Sequence, residues 1–187
     1  DRTVRSERLI EPYTSYNVAR VQKDLGGGST VGGTATAVVR EQDRDAYTGA
    51  IDYTVRWARN KYNWNGQWAT TRAPIGGVMQ TGFGGVTNFN YSSKHLGVFG
   101  RYDYLDRDFR NTDLGFLFGR TNRTQINAGF NLGQPDPTKY FRSVTLFSNL
   151  FTQFNGDKLQ LDKSVFVGGE IQFLNYWNLF VGTSRSL

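Results

Sequence analysis

His95 is the only histidine of the chain, and so the one imidazole available for acid/base chemistry near neutral pH. Its nearest carboxylate in the sequence is Asp103, and hydrolases use a histidine with carboxylates or a serine at the rim of a barrel. A histidine without such companions is more typical of a rim or a loop. The sequence therefore predicts that the protein is not an enzyme, with a barrel-rim hydrolase as the lesser alternative.

A run of aspartates offers the hard oxygen ligands that calcium prefers. It lacks the D-x-D-x-D-G order of a calcium loop, and arginines interleave with it: Asp103, Asp106, Asp108 and Asp113 alternate with Arg101, Arg107 and Arg110. A solvated loop without a metal ion is predicted. Cysteine is absent, and the glycines at 26–28 lack the Lys-Ser/Thr of a phosphate loop. No catalytic, cofactor-binding or metal-binding residue is predicted.

The elements that would position such side chains are strands, and the clearest one lies between Tyr47 and Arg59. Its odd positions are mostly aromatic or β-branched, such as Ile51 and Trp57, whereas its even positions are small or charged, such as Asp52. A period of two over this length predicts a long β-strand. A charged face suits a barrel whose outside meets lipid and whose inside holds water or polar side chains.

The same alternation recurs along the chain and predicts eleven strands, many near or above the roughly 9 to 11 residues that cross a bilayer. Aromatic residues make up 15% of the chain and all hydrophobic residues 38%, which favours β structure. Trp57 and Tyr62 are predicted to meet across a turn at Asn60 and Lys61. Such a ring cluster is typical of the interfacial belt of a membrane barrel, and the alternative is an aromatic pair in a soluble sheet.

Several stretches interrupt this pattern. Residues 1–12 predict a charged loop or a frayed strand, Pro74 predicts the end of a strand, and a further strand is predicted at 114–118. The glycines at 82, 84 and 85 indicate a bend or bulge, or the close approach of another backbone. The segment 140–154 is apolar on both faces, so periodicity does not orient it. An odd strand count indicates a miscount or, as we favour, a portion of a larger barrel.

Charged residues at polar positions are expected inside the barrel, where structural pairing is favoured over the lining of a channel. These residues are Arg40, Asp52, Arg56, Lys163 and Glu170. The net charge of +6 is spread along the strands and forms no basic patch, so nucleic acid is not an expected partner. The longest charge-free run, from Ala73 to Ser93, is too rich in glycine and polar residues to be a membrane helix.

Two motifs carry a resemblance to a known family. The first is RVQKD at Arg20–Asp24, followed by Ser29, Val31 and Gly32, and the second is FRNTDLGFLFGR at Phe109–Arg120. In order and type they resemble the outer-membrane barrel region of the DUF5916 family, and the resemblance covers most of the chain. It implies an outer-membrane protein of diderm bacteria. Because family members usually also carry a module similar to carbohydrate-binding family 9, it implies a link to carbohydrate handling, and it carries over no catalytic residue.

The predicted fold class is all-β, an antiparallel up-and-down transmembrane β-barrel or a segment of a larger one, with residues 1–187 as a single and partial barrel domain. The predicted function is a pore, transport or assembly component of the bacterial outer membrane. Expected partners are the lipid bilayer, other outer-membrane proteins and a carbohydrate, with no cofactor. The alternative is a soluble or extracellular all-β carbohydrate-binding module whose exposed rings stack on sugars.

Overall fold

The computed structural model describes residues 13–41, 43–110 and 121–187, which contain ten strands of 9 to 15 residues. The strands are β1 (Thr14–Gly26), β2 (Ser29–Arg40), β3 (Ala46–Trp57), β4 (Tyr62–Ile75), β5 (Val78–Ser92), β6 (Leu96–Leu105), β7 (Arg123–Gln134), β8 (Phe141–Asn155), β9 (Gln160–Phe173) and β10 (Asn178–Ser186). Within these ranges no helix has the length and apolar character needed to cross a membrane.

Each strand pairs antiparallel with its neighbours in sequence, so the sheet order runs from β1 to β10 without a crossover. This confirms the predicted all-β, up-and-down arrangement. Of the described strands, β1 pairs only with β2 and β10 only with β9, so the sheet is open. The described residues therefore do not form the closed barrel that was one of the two forms predicted, because both outer strands keep an unpaired edge.

The strand boundaries differ from the prediction at Pro74. The strand β4 continues through Pro74, which lies opposite Met79, and the chain reverses at Gly76 and Gly77 with φ of 57° and 80°. Two glycines in the left-handed region make this turn, and proline is tolerated beside it because it is the penultimate residue of the strand. The predicted loop at 1–12 and strand at 114–118 lie outside the described residues.

The two faces of the sheet differ in chemistry, since residues directly opposite each other on paired strands point to the same side. The apolar face is defined by the row of cross-strand partners Val55, Trp64, Phe89, Gly100, Ala128, Leu150 and Val165. The polar face is defined by the adjacent row Thr54, Asn65, Asn88, Arg101, Asn127, Phe151 and Ser164. The alternation predicted for Tyr47–Arg59 is thus confirmed along β3 and extends across the sheet.

Few apolar side chains are buried, and those that are lie on the polar face. In the described part of the chain they are Val38, Ala46, Ala73, Leu105 and Phe109. The strand residues among them lie near the C-terminal ends of β2, β4 and β6 and at the start of β3. We call this end of the sheet the core end. None of the described residues covers the apolar face in this way, and many of its large side chains are exposed.

Candidate functional site

Amide side chains on neighbouring strands hydrogen-bond to one another across the polar face. Gln125 Nε2 donates to Gln153 Oε1 at 2.7 Å, and Asn149 Nδ2 donates to Asn127 Oδ1 at 2.8 Å. A second ladder joins Asn63, Asn65 and Asn88. Because each amide carries two donors and an acceptor, these ladders leave groups free to bind water or a polar solute.

An ion pair crosses β2 to join β1 with β3. Arg20 Nη1 and Nη2 lie 2.6 and 3.0 Å from Asp52 Oδ1 and Oδ2, and Nη1 also donates to Thr34 Oγ1 at 2.8 Å. Gly32 makes room for the carboxylate, since an ideal Cβ there would stand 2.6 Å from Asp52 Oδ2. A side chain at position 32 would displace the carboxylate and break the bidentate geometry.

Four of the five charged residues expected on the polar face lie there. They are Arg40, Asp52, Arg56 and Glu170. The pairing expected for them holds for Asp52, although its partner Arg20 was not predicted because 32 positions separate the two in sequence.

The prediction for Lys163 is wrong. Lys163 stands opposite Thr152 and shares the apolar face with Val165, two residues further along β9. It lies near the start of this strand, where the long stem of a lysine can carry its ammonium group beyond the edge of the apolar surface into water. A lysine at a strand end is therefore compatible with either face.

The segment that follows β6, residues 106–110, folds back over the polar face at the core end. We call it the inward segment. Phe109 is only 7% exposed, and Arg110 donates its backbone N–H to Thr71 Oγ1 at 3.0 Å, with Thr71 itself 1% exposed. Asp106 fixes the base of the segment, because its Oδ2 accepts a hydrogen bond from the backbone N–H of Phe83 at 2.8 Å.

Two glycines on β5 make room for the inward segment. An ideal Cβ at Gly82 would overlap backbone atoms of Asp108 and Phe109, and one at Gly84 would stand 3.1 Å from Phe109 Cδ2 as well as 2.7 Å from Leu105 Cδ2 on β6. The register of β5 with β4 is regular at both positions, and its register with β6 is regular from Gly84 onward. Of the two interpretations of this glycine run, the close approach of another backbone is therefore confirmed. The buried role of Phe109 was missed, and its one signal was an aromatic residue inside a charged loop.

The structure places His95 at the end of the sheet opposite the inward segment. Its Nδ1 lies 2.9 Å from the carbonyl oxygen of Gly133, and the neighbouring Lys94 Nζ lies 2.5 Å from Asp136 Oδ2. The turn between β5 and β6 is thus tied to the loop between β7 and β8. The imidazole bonds a main-chain carbonyl there.

The predicted run of aspartates is divided between separate roles. Asp103 accepts two hydrogen bonds of 2.7 Å from Arg101, as the interleaving of charges predicted. Asp106 accepts backbone N–H groups from Phe83 and Asp108, while Asp113 lies outside the described residues. In the ranges that the structure covers, no three His, Cys, Asp or Glu side chains stand close enough to hold a metal ion.

Asp45, in the loop between β2 and β3, offers a test by pH. Hydrogen bonds from the backbone N–H of Arg40 and from the Tyr47 hydroxyl lower the pKa of its carboxyl group. A lowered folded-state pKa stabilises the loop at pH values above the unfolded pKa of about 3.9, and this contribution is lost as pH falls through the folded pKa.

We expect a carboxyl-carbon NMR titration of Asp45 to have a midpoint below the unfolded pKa, and Tyr47→Phe to raise that midpoint. A midpoint that Tyr47→Phe leaves unmoved would contradict the assigned hydrogen bond.

Aromatic rings cluster at two levels of the apolar face. Near the turn between β3 and β4, Trp57 stacks on Tyr62 with centroids 5.0 Å apart, and Tyr62 contacts Tyr91 at 4.8 Å, which confirms the predicted contact. Toward the core end, Trp68 stacks on Phe83 at 5.4 Å. Tyr62 and Trp68 are six residues apart on β4, so the two levels are separated by about 20 Å along the strand.

Some polar side chains on the apolar face bond to one another or to the main chain. The hydroxyl of Thr87 lies 2.7 Å from the Tyr53 hydroxyl and accepts the Trp64 indole N–H at 2.8 Å. Thr152 Oγ1 donates to the carbonyl of Asp162 at 3.1 Å. Internal pairing of this kind is what a surface without access to water requires.

Together these features define an all-β protein with one antiparallel, up-and-down sheet whose faces are apolar and polar. Over residues 1–186 the chain matches the family described as "Domain of unknown function (DUF5916)", and it belongs to that family. No curated protein and no solved structure matches the chain. The family resemblance carried by the two motifs is thereby confirmed.

Proposed function

We propose that the chain is part of a transmembrane β-barrel in a bacterial outer membrane, where it acts as a pore, transport or assembly component. The polar face lines the interior of this barrel and the apolar face contacts lipid. The edge strands β1 and β10 would each pair with another strand in the membrane, since an unpaired strand edge is not tolerated in hydrocarbon.

The exposure of the apolar face carries the proposal. Ile51 is 59% exposed, Val181 66% and Leu146 53%, and together they sample β3, β10 and β8. Soluble monomers rarely expose apolar patches larger than a few hundred Å², and an apolar surface of this extent needs cover. Lipid provides it.

Strand length and the pairing of polar atoms give independent support. Strands of 9 to 15 residues are long enough to cross a bilayer, whereas strands of soluble proteins centre on about five or six. The hydroxyl and indole groups near Thr87 are paired within the apolar face. The rings of Trp57, Tyr62 and Tyr91 near the turn between β3 and β4 suit one interface of a membrane, where amphipathic rings are enriched.

Fractionation of the native protein tests the proposal. We expect it to sediment with outer membranes, to resist a carbonate wash, and to need detergent for extraction. Unheated samples should migrate differently from boiled ones, because a β-barrel keeps its hydrogen-bonded sheet in detergent. A water-soluble monomer with heat-independent migration would contradict the proposal.

A further inference from the structure

Two basic residues stand side by side on the apolar face at the core end. Lys163 on β9 shares this face with Val165, and Arg185 on β10 lies directly opposite Val165. Lys163 and Arg185 are therefore diagonal neighbours on paired strands, about 7–8 Å apart. Neither forms an ion pair with the residues that the structure describes. Like charges this close repel each other on an apolar surface, and an anion between them would relieve the repulsion.

An apolar groove lies below this pair on the same strands. Gly169 stands between its partners Leu146 on β8 and Val181 on β10, and its missing side chain leaves an open depression between theirs. The groove has a volume of about 460 Å³, and the apolar residues that line it include Leu146, Val167, Gly169, Ile171, Leu179 and Val181. Leu146, Val167 and Val181 are each more than half exposed. The groove is thus open to whatever covers the apolar face.

The distance between the basic pair and the groove matches one leaflet of a bilayer. Gly169 is six residues from Lys163 on β9, which is about 20 Å at the rise of a strand. At the strand tilt of a membrane barrel, roughly 40°, this distance is about 15 Å along the membrane normal. The hydrocarbon core is about 30 Å thick, so each leaflet contributes about 15 Å. The basic pair therefore lies at the level of the headgroups when the groove reaches the middle of the bilayer.

We propose that the basic pair and the groove form a binding site for an anionic, phosphate-bearing lipid. The Lys163 ammonium and the Arg185 guanidinium donate charge-assisted hydrogen bonds to the phosphate oxygens, and an acyl chain packs in the groove. A free phosphate ion would leave the groove open, and a zwitterionic lipid would bring a cation of its own to the pair. Another strand that paired with β10 would join at its edge and leave the site on the face accessible. The inference rests on the proposed function in that the apolar face contacts lipid.

Native mass spectrometry of the full chain in detergent tests the site with dioleoyl phosphatidic acid and dioleoyl phosphatidylcholine, which have the same acyl chains. We expect phosphatidic acid to bind about tenfold more tightly. Lys163→Gln and Arg185→Gln should each weaken its binding by about tenfold, in line with the loss of one charge-assisted hydrogen bond, and Arg185→Lys should retain it. Lys23→Gln is the matched control, because Lys23 shares the apolar face with Val31 but lies at the opposite end of the sheet. This variant should bind as the wild type does.

Gly169→Leu tests the groove separately from the basic pair. The new side chain would fill the depression, and the atom nearest to its Cβ, Leu146 Cδ2 at 2.9 Å, is the end of a flexible side chain that can turn aside. We expect affinity for phosphatidic acid to fall by about tenfold as apolar contact is lost. Inorganic phosphate at the same concentration should not displace the lipid. Displacement by phosphate, or wild-type affinity in Gly169→Leu, would show that no acyl chain lies in the groove and would overturn the inference.

The outcomes separate this inference from the proposed function. If the protein behaves as an outer-membrane barrel but binds both lipids equally, or if Lys163→Gln and Arg185→Gln bind phosphatidic acid as the wild type does, the lipid site is overturned and the membrane proposal stands. An equal loss in Lys23→Gln would show general charge attraction without a site and would also overturn it. If the protein is a water-soluble monomer whose binding of phosphatidic acid still depends on Lys163 and Arg185, the lipid site stands and the membrane proposal fails.

Discussion

If the chain spans a membrane as proposed, we expect Ile51→Arg to prevent its stable assembly in a bilayer. Ile51 lies at the middle of β3 on the apolar face and is 59% exposed, so the new guanidinium would stand in the hydrocarbon. An arginine at the midplane of a membrane barrel costs about 2–4 kcal/mol. The change should be measured as a fall in the free energy of unfolding from lipid vesicles by urea, and as loss of the folded form in outer membranes.

Ala50→Arg is the matched control, because it adds the same charge one residue away on the polar face. Ala50 lies opposite Thr34 and Ala69, and Asp52 stands two residues further along the same face. We expect this variant to fold as the wild type does. In a soluble protein Ile51→Arg would not be clearly more destabilising than Ala50→Arg. A surface substitution there usually changes the free energy of unfolding by no more than about 0.5 kcal/mol. Equal behaviour of the two variants would therefore contradict the assignment of the faces.

Gly82→Ala expels the inward segment from the polar face. The added methyl group would overlap backbone atoms of Asp108 and Phe109, and a backbone cannot yield as a flexible side chain can. Overpacking of this kind costs about 1–3 kcal/mol, which corresponds to a rise of about fivefold to about 150-fold in the open population. We expect chymotrypsin to cut after Phe109 faster by that factor, since Phe109 is 7% exposed in the wild type.

Gly100→Ala serves as the control for this change. Nothing lies within 4 Å of an ideal Cβ at Gly100, so its cleavage rate after Phe109 should equal that of the wild type. If the chain forms a pore, Gly82→Ala should also admit larger solutes into vesicles while Gly100→Ala should not. Unchanged protection of Phe109 in Gly82→Ala would show that the inward segment does not pack as described.

The strands could be predicted from the alternation of apolar and polar residues, because one face of the sheet is apolar and the other is polar. Along β3 the period of two assigned Ile51 and Asp52 to opposite faces correctly. It did not orient β8, since Phe147 and Phe151 on its polar face are as apolar as Leu146 and Leu150 on the other. Only the cross-strand register, which places Phe147 opposite Gly168, decides this.

Contacts between distant segments could not be predicted from local pattern. The pairing of Arg20 with Asp52 depends on the order of β1, β2 and β3 and on the missing side chain of Gly32. The inward segment left a partial signal in the glycines of β5, which indicated close approach of a backbone but not which one. Its occupant, Phe109, lies 27 positions beyond Gly82, and only the folded chain joins them.

Spin labelling along β3 tests the central claim that one face meets lipid and the other meets water. The chain has no cysteine, so each single substitution at positions 48–57 gives a unique label. In lipid vesicles we expect accessibility to oxygen to peak at 51, 53 and 55, and accessibility to a water-soluble nickel complex to peak at 50, 52 and 54. Nickel accessibility at 51, 53 and 55, or no alternation at all, would contradict the account.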